Sequence, residues 1–182
     1  MKTIKQWIGG EYYEGQPDGT SDVENPATGE VESQLLQASR ADLDHAVEVA
    51  REAQKTWAKV PLAKRVAIMF RMRQLVLDHQ DEMAKLIVAE HGKNYSDAIG
   101  EIQRGRETLD FATAINVALK GEYSFDISTG VDIHTIRQPV GVVAGICPFN
   151  FPAMVPMWMH PLAIATGNAF ILKPASATPS AA

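Results

Sequence analysis

The sequence predicts an α/β fold in which short strands and a helical layer precede a β-hairpin and the first βαβ unit of a parallel sheet. Apolar residues recur at helical spacing through residues 39–121. The pattern then alternates with a period of two over residues 123–136, which is typical of a hairpin. Two compact apolar runs, 140–146 and 169–172, flank a helical segment, and a strand, a helix and a strand within about thirty residues form a βαβ unit. Such a unit implies parallel strands joined by a right-handed crossover.

The composition excludes several classes of protein. The chain has 182 residues, the length of one ordinary domain, with 17 Lys and Arg against 22 Asp and Glu and therefore a net charge of −5. Its pI near 5.5 argues against nucleic acid and anionic membranes as partners, because both favour a basic surface. One cysteine excludes an internal disulfide and a Cys-rich zinc site, and the five histidines lack metal-ligand spacing. The N-terminus also lacks the apolar segment of a signal peptide, so we expect a cytoplasmic protein without a metal site.

Charge is absent from one long part of the chain. From Gln138 to Leu172 there is no Asp, Glu, Lys or Arg. This stretch of 35 residues is longer than the ~20 apolar residues that a membrane span needs. However, prolines interrupt it every four or five residues, at positions 148, 152, 156 and 161. The pattern therefore favours a strand, a turn and a helix that are buried on nearly all sides, as in the central part of an α/β protein.

The first elements show clear boundary signals. Residues 1–38 carry Gly, Pro and Asn at intervals that indicate short strands joined by turns. A helix is expected to follow Ser39, because Asp42 three residues later completes the pattern of a capping box. The apolar positions that recur at helical spacing in this helix are Leu43, Ala46, Val47, Ala50, Ala53 and Trp57.

Two further helices are predicted before the hairpin. Pro61 is expected at the first position of the second helix, where its missing N–H is tolerated. That helix should bend near residues 78–80 and end at Gly92, which favours the left-handed conformation of helix C-termini. Ser96 is predicted to cap the third helix, which ends near Gly121. The inward-facing residues of these helices are expected to be Val66, Ala67, Phe70, Val76, Ile99, Ile102, Leu109 and Ile115.

The last part of the chain predicts a ligand site and an unfinished sheet. Ligands bind beyond the carboxyl ends of parallel strands, which here are residues 147–150 and 173–176. No Gly-x-Gly-x-x-Gly motif follows either strand. Thr178 and Pro179 have the pattern of a helix start, and two parallel strands alone would leave long unpaired edges. The hairpin likewise needs a surface to pack on. We therefore expect the chain to be the N-terminal part of a longer protein.

Motifs at these strand ends carry a resemblance to a known family. The stretch QPVGVVAGICPFNFP, residues 138–152, is followed by LAIATGN at 162–168 and by Lys173-Pro174. In this order and spacing the elements resemble the aldehyde dehydrogenase superfamily. Residues 149–159, FNFPAMVPMWM, look most like its methylmalonate-semialdehyde dehydrogenase branch, the CoA-acylating enzymes of valine and inositol breakdown. The resemblance covers all 182 residues, about the first third of a family member.

The resemblance implies the N-terminal part of an aldehyde-dehydrogenase-like fold, which is incomplete at residue 182. Residues 1–122 would form the N-terminal strands and the helical layer of the cofactor-binding domain. Residues 123–137 would be an oligomerisation hairpin, and residues 138–182 would begin the Rossmann-like cofactor-binding sheet. The whole protein is accordingly expected to be a homo-oligomer, either a dimer or a tetramer.

Asn150 matches the family's oxyanion-hole asparagine. The side-chain amide of that residue donates a hydrogen bond to the aldehyde oxygen as the oxygen gains negative charge. Losing such a donor typically costs about 3–4 kcal/mol of transition-state stabilisation. An asparagine in a proline-flanked turn can instead satisfy nearby backbone groups, and the flanking motif favours the oxyanion role.

Cys147 is the only thiol and lies three residues before Asn150. A nucleophilic thiol needs a lowered pKa and an activating base or dipole, and nothing beside Cys147 in the sequence supplies either. We therefore expect Cys147 to be small, buried and non-nucleophilic. The resemblance places the nucleophilic cysteine beyond Ala182, so this chain alone is expected to be catalytically silent.

The resemblance implies NAD as the cofactor, with NADP as a second option. Lys173 would contact the adenosine ribose, although a solvated lysine at a strand end is the alternative. Ser176 departs from the Glu of many NAD-dependent relatives, whose carboxylate binds the ribose hydroxyl and repels a 2′-phosphate. A serine removes that repulsion, which puts strict selectivity for NAD in doubt. The residues expected to line the cofactor are Ile146, Cys147, Pro148, Phe149, Lys173, Ser176 and Ala177.

Arg104 matches an arginine that binds the substrate's carboxylate in the methylmalonate branch. A guanidinium suits this task because it offers two parallel hydrogen bonds to a planar carboxylate. The alternative is an exposed helical arginine that pairs with a carboxylate four residues away.

The implied reaction is the NAD(P)-dependent oxidation of methylmalonate or malonate semialdehyde to an acyl-CoA. A thiolate attacks the aldehyde, hydride passes to the nicotinamide, and the thioester is transferred to coenzyme A. Two alternatives are a semialdehyde dehydrogenase that hydrolyses its thioester, and a non-catalytic interaction module built on residues 39–121 and the uncharged segment.

Overall fold

The computed structural model describes residues 1–182 as nine strands and six helices. They follow the predicted order of short strands, helical layer, hairpin and βαβ unit. In chain order they are β1 Lys2–Ile4, β2 Gln6–Ile8, β3 Glu11–Tyr13, β4 Gly19–Asn25, β5 Glu30–Gln37, α1 Arg40–Trp57, α2 Leu62–Asp78, α3 Gln80–His91, α4 Tyr95–Thr113, α5 Ile115–Ala118, β6 Tyr123–Ser128, β7 Val131–His134, β8 Val142–Ile146, α6 Met154–Ala165 and β9 Ala169–Lys173.

The N-terminal strands form two small sheets. β5 lies at the centre of the first sheet, antiparallel to β4 and parallel to β1, whereas β2 and β3 pair with each other. Gly29, with a φ of 72°, turns the chain between β4 and β5, and its N–H donates to the carbonyl of Asn25. The short strands predicted for residues 1–38 are therefore confirmed.

The capping box at the start of α1 is confirmed atom by atom. Ser39 Oγ accepts a hydrogen bond from the backbone N–H of Asp42, and the Asp42 carboxylate accepts one from the backbone N–H of Ser39. The other carboxylate oxygen accepts from the backbone N–H of Gln16, 2.9 Å away. The N–H groups of Gln16 and Ser39 favour the ionised carboxylate and lower the pKa of Asp42. This side chain thus joins α1 to the loop before β4.

Two helix starts differ from the sequence prediction, and two helix ends agree with it. The break near residues 78–80 is confirmed, since α2 ends at Asp78 and α3 begins at Gln80. Gly92 ends α3 in the left-handed conformation, with a φ of 76°. Pro61 precedes α2 with a non-helical ψ of 140°, so it is not the first helical residue. Asn94, not Ser96, caps α4, because its Oδ1 accepts from the backbone N–H of Asp97 at 2.9 Å.

The core lies where α2, α3 and α4 pack against one another and against α6. The inward positions predicted on α4 and α5 are confirmed for Ile102, Leu109 and Ile115, which are buried. On α2 the prediction is confirmed for Val76, which is buried, and is wrong for Phe70, which is exposed while its neighbour Met69 is buried. A shift of one residue rotates the face of a helix by about 100°. Leu43 on α1 is also exposed, where it lines a groove of about 520 Å³ against β8.

The hairpin predicted at residues 123–136 is confirmed. β6 and β7 pair antiparallel, and Gly130 turns the chain between them with a φ of 72°. All residues of both strands are exposed, including Phe125, which is 76% accessible. The apolar side chains of the hairpin are therefore uncovered within this chain.

The βαβ unit is confirmed as well. β8 and β9 pair in parallel, and α6 crosses between them. The expected burial of the uncharged stretch holds for much of α6 but not for β8, where Ile146 is 79% exposed, because β8 and β9 pair only with each other. Thr178 lies in a bend after β9, where its N–H donates to the carbonyl of Ala175 at 3.2 Å. None of the six helices has the length and apolar character that crossing a membrane requires.

Candidate active site

The parallel register brings the predicted cofactor-lining residues together. Ile146 and Lys173 are partners at the carboxyl ends of β8 and β9, and the Cys147 N–H donates to the Lys173 carbonyl at 3.0 Å. The loops that follow are also joined, because Thr178 Oγ1 donates to the carbonyl of Phe149 at 3.3 Å. Residues 146–149 and 173–177 thus form one continuous surface at the end of the sheet.

Polar groups on this surface are available to a ligand. Lys173 is exposed, makes no salt bridge, and directs its ammonium at Ser176 Oγ, 3.4 Å away. Ser176 and Ala177 are exposed in the turn that follows β9. Phe149 is also exposed and stacks on the ring of His91 with 6.0 Å between centroids. An ammonium with a neighbouring hydroxyl, and an aromatic ring, are therefore exposed on the loops at this end of the sheet.

Cys147 is buried beneath this surface, as the sequence predicted. Burial raises the pKa of its thiol, and the positive charge of Lys173 offsets only part of that effect. The thiol is therefore protonated at neutral pH, which does not suit a nucleophile.

Asn150 lies on the loop between β8 and α6 with its side chain exposed. Its carboxamide makes no hydrogen bond within the chain, whereas its backbone carbonyl accepts one from Lys93 Nζ at 2.9 Å. The side chain is thus not used to satisfy the turn, and both of its N–H donors are open to a ligand. This geometry favours the oxyanion role over the structural alternative.

A buried ion pair, formed by residues outside the Asn150 loop, makes hydrogen bonds to the backbone of that loop. Lys93, in the loop after α3, contacts Glu101 on α4 at 2.5 Å, and their side chains are 12% and 1% exposed. Glu101 Oε1 accepts hydrogen bonds from the backbone N–H groups of Ala153 and Met154 at 2.8 and 3.1 Å. These N–H groups begin α6, which has no side-chain cap of its own. The loop is therefore anchored at Asn150 and at Ala153 and Met154, where it enters α6.

Sequence reasoning missed Lys93 and Glu101, and only an indirect signal pointed to them. Residues 138–172 contain no acid, so the N–H groups at the start of α6 had to find an acceptor elsewhere in the chain. Nothing local identifies Glu101 as that acceptor, because it lies 52 residues before Ala153.

Close packing of α4 on α6 fixes the distance between these two helices, and the Asn150 loop leads directly into α6. A Cβ on Gly105 would lie 3.2 Å from Met154 Cα and 2.5 Å from Met157 Cε. Both methionines are buried, so they pack in the core between the two helices. Only a glycine at position 105 lets the two helices approach this closely.

Arg104 lies one residue before this crossing and is exposed. It makes no salt bridge and no hydrogen bond, whereas its neighbour Arg106 approaches Asp110 at 4.0 Å. The alternative, an arginine that pairs with a carboxylate four residues away on the helix, therefore applies to Arg106 and not to Arg104. A free guanidinium remains able to bind a carboxylate ligand.

Comparison with known proteins identifies the family to which the chain belongs. The model of the aldehyde dehydrogenase family matches residues 12–182. Malonate-semialdehyde dehydrogenase 2 of Oceanobacillus iheyensis is 50% identical over 179 residues, which cover 98% of this chain and 37% of that protein. The chain thus spans little more than a third of the length of this relative.

Solved structures agree on the fold. A methylmalonate-semialdehyde dehydrogenase from Oceanimonas doudoroffii superimposes with a TM-score of 0.96 at 45% identity, over 100% of this chain and 37% of that one. A Sinorhizobium meliloti protein described as a methylmalonate-semialdehyde dehydrogenase, complexed with NAD, also gives a TM-score of 0.96, at 44% identity and with the same coverage. The fold is the N-terminal part of the aldehyde dehydrogenase fold, and the chain belongs to the aldehyde dehydrogenase family.

Proposed function

We propose that the whole protein, meaning the complete product of the reading frame that encodes this chain, oxidises a semialdehyde with NAD or NADP. The observation that carries this proposal is the free carboxamide of Asn150, held by its backbone carbonyl at the carboxyl end of a parallel sheet. Relatives named malonate- and methylmalonate-semialdehyde dehydrogenases support these two semialdehydes as substrates.

Asn150 has the chemistry to stabilise the transition state. As a nucleophile adds to the aldehyde carbon, the carbonyl oxygen gains negative charge, and an N–H donor of Asn150 would bind that oxygen. The donor needs no reorganisation, because the loop is already fixed by Lys93 and Glu101. The thiolate nucleophile would come from a cysteine outside residues 1–182, since Cys147 is buried with a raised pKa.

The surface at the strand ends fits a dinucleotide. Ile146, Phe149 and the backbone at Cys147 and Pro148 would line it, and the Lys173 ammonium and the Ser176 hydroxyl suit the hydroxyl groups of an adenosine ribose. Ala177, exposed beside Ser176, would complete the surface. When bound, the cofactor supplies a hydride acceptor.

Replacing Ser176 by Glu is expected to shift cofactor preference toward NAD. The new carboxylate would lie near the Lys173 ammonium and would repel a 2′-phosphate, so the ratio of kcat/KM for NAD to that for NADP should rise by about tenfold, or about 1.4 kcal/mol. Steady-state kinetics of the whole protein with both cofactors measure this ratio. Ser176→Ala adds no charge and should leave the ratio nearly unchanged. An equal ratio in Ser176→Glu and the unsubstituted protein would contradict the assignment of Ser176.

We propose that Arg104 binds the carboxylate of the semialdehyde and that coenzyme A takes up the acyl group. The free guanidinium of Arg104 supports the first step, and the named relatives support a carboxylate-bearing substrate. The decisive assay measures NADH formation and the product from malonate and methylmalonate semialdehyde, with and without coenzyme A. An acyl-CoA product supports the proposal. A free acid at the same rate with and without coenzyme A would indicate the hydrolysing alternative, and no oxidation would favour a non-catalytic module.

The 182-residue chain alone is expected to be catalytically silent. Its only thiol is Cys147, which is buried and protonated at neutral pH. Absorbance at 340 nm, followed with aldehyde, coenzyme A and NAD, should show no aldehyde-dependent NADH. Activity that disappears in Cys147→Ser would show instead that Cys147 is the nucleophile.

We further propose a cytoplasmic homo-oligomer, a dimer or a tetramer, assembled through the hairpin of β6 and β7. The exposed apolar side chains of that hairpin support this assembly, because an isolated two-stranded ribbon needs a surface to pack on. The single cysteine supports a reducing compartment.

A further inference from the structure

We propose that Glu101 and Lys93 are positioning residues, which act through Asn150 by fixing the backbone at Asn150 itself and at the start of α6 that follows it. This inference rests on the proposed function, since it assumes that the Asn150 carboxamide meets the reacting aldehyde. It adds two residues from outside the motif-bearing loop to the machinery of the site.

The contacts of Lys93 fix the loop at Asn150 and Phe151. Its ammonium donates to the backbone carbonyl of Asn150 at 2.9 Å and lies 4.5 Å from the centre of the Phe151 ring. It also pairs with Glu101 Oε2 at 2.5 Å. A single buried cation thus holds two successive residues of the loop, and Asn150 is one of them.

The contacts of Glu101 fix the end of the loop, at Ala153 and Met154. Its other oxygen, Oε1, accepts from the N–H groups of Ala153 and Met154, where α6 begins. A carboxylate at this position interacts favourably with the positive end of a helix dipole. Both oxygens are therefore used, and the carboxylate joins α4 to α6 and to Lys93 at one point.

The arrangement is better explained by geometry than by stability. A buried ion pair gains little net stability over apolar groups of the same shape, because both charges must leave water. What it does provide is one fixed backbone path, since an ion pair that also makes three directed hydrogen bonds to the loop backbone is satisfied in only one arrangement of the loop. A misplacement of about 1 Å of a catalytic group can lower the rate by about a hundredfold.

The variant Glu101→Gln tests this role in the whole protein. Glutamine keeps the shape and an acceptor for the two N–H groups but loses the charge that holds Lys93. We expect kcat to fall by about a hundredfold with an unchanged KM for the cofactor, whose strand-end surface does not contact Glu101. Asp110→Asn is the control on the same helix, α4. It weakens the ion pairs of Asp110 with Arg73 on α2 and with Arg106 but does not touch the loop, so its kcat should be unchanged.

A double-mutant cycle with Asn150→Ala separates positioning from general damage to the fold. If Glu101 acts through Asn150, then Glu101→Gln should cause no further loss of kcat once the Asn150 side chain is removed. An equal loss in both backgrounds would overturn the inference. If Asn150→Ala alone leaves kcat unchanged, the proposed role of Asn150 fails instead, and the two failures are thereby distinguished.

A second variant covers the case in which Glu101→Gln does not fold with an unpaired buried lysine. The double variant Lys93→Met/Glu101→Gln removes both charges and leaves no buried ion. We expect this double variant to be folded, as shown by a cooperative thermal melt. Its kcat should be as low as that expected for Glu101→Gln, because the Asn150 carbonyl has lost its donor. A folded double variant with the kcat of the unsubstituted protein would overturn the inference.

Discussion

Replacing Asn150 by alanine is expected to lower kcat of the whole protein by a factor of about 10²–10³. The reason is that the substitution removes an N–H donor aimed at an oxygen that carries negative charge only in the transition state. The carboxamide has no partner within the chain, so its loss should leave the melting temperature unchanged. Steady-state kinetics with a semialdehyde, together with a thermal melt, measure both quantities.

Asn150→Asp is the shape-matched control for this experiment. The aspartate keeps the size of the side chain but replaces the N–H donors by a second carboxylate oxygen, which repels the developing charge. We expect a loss of kcat at least as large as in Asn150→Ala, with the KM for NAD unchanged. A kcat in either variant equal to that of the unsubstituted protein would show that Asn150 does not bind the reacting oxygen.

Replacing Gly105 by valine is expected to lower the free energy of unfolding by about 1–3 kcal/mol. A Cβ at this position already lies 3.2 Å from the backbone Cα of Met154, and the two methyl groups of valine extend further into α6. The two helices, α4 and α6, must then move apart. Because the loop that carries Asn150 leads into α6, kcat should fall as well. Chemical denaturation of the whole protein measures the stability, and the same kinetics measure the activity.

Gly100→Val provides a matched control on the same helix. A Cβ on Gly100 would meet no atom within 4 Å, so the same substitution is made in open space. Because glycine is the poorer helix former of the two, this variant should be as stable as the unsubstituted protein or slightly more stable. Equal destabilisation at positions 100 and 105 would mean that helix propensity, not the approach of α6, determines the effect.

Local signals predicted those parts of the fold in which neighbouring residues contain all the necessary information. The capping box of Ser39 and Asp42, the left-handed Gly92 and the strands of the βαβ unit are confirmed for this reason. The prediction for Phe70 on α2 failed, because Met69 and Phe70 are both apolar and only the tertiary packing decides which is buried. The cap of α4 failed similarly, since Asn94 and Ser96 both carry a side chain that can accept from an N–H group.

The site divides along the same line. The parallel register brings residues 147–150 and 173–176 to one edge, as expected from the strand pattern alone. The anchors of the Asn150 loop could not be found in this way, because Lys93 lies 57 residues before its partner in the loop. Their roles depend on how the helical layer packs on α6, and sequence spacing does not report that packing. The roles of Arg104, Lys173 and Ser176 remain predictions. The cofactor kinetics of Ser176→Glu test the role of Ser176.

The Glu101–Ala153 hydrogen bond also bears on how the molecule assembles. It closes a loop of 52 residues, whereas the strands and helices that it joins are each held by contacts close in sequence. Closing a long loop costs chain entropy that local contacts do not, and non-local contacts therefore tend to form late in folding. We infer that the Asn150 loop acquires its geometry only after α4 has docked on α6. Protection of the Ala153 amide from hydrogen exchange would then mark the stage of folding at which the chain becomes able to bind an oxyanion.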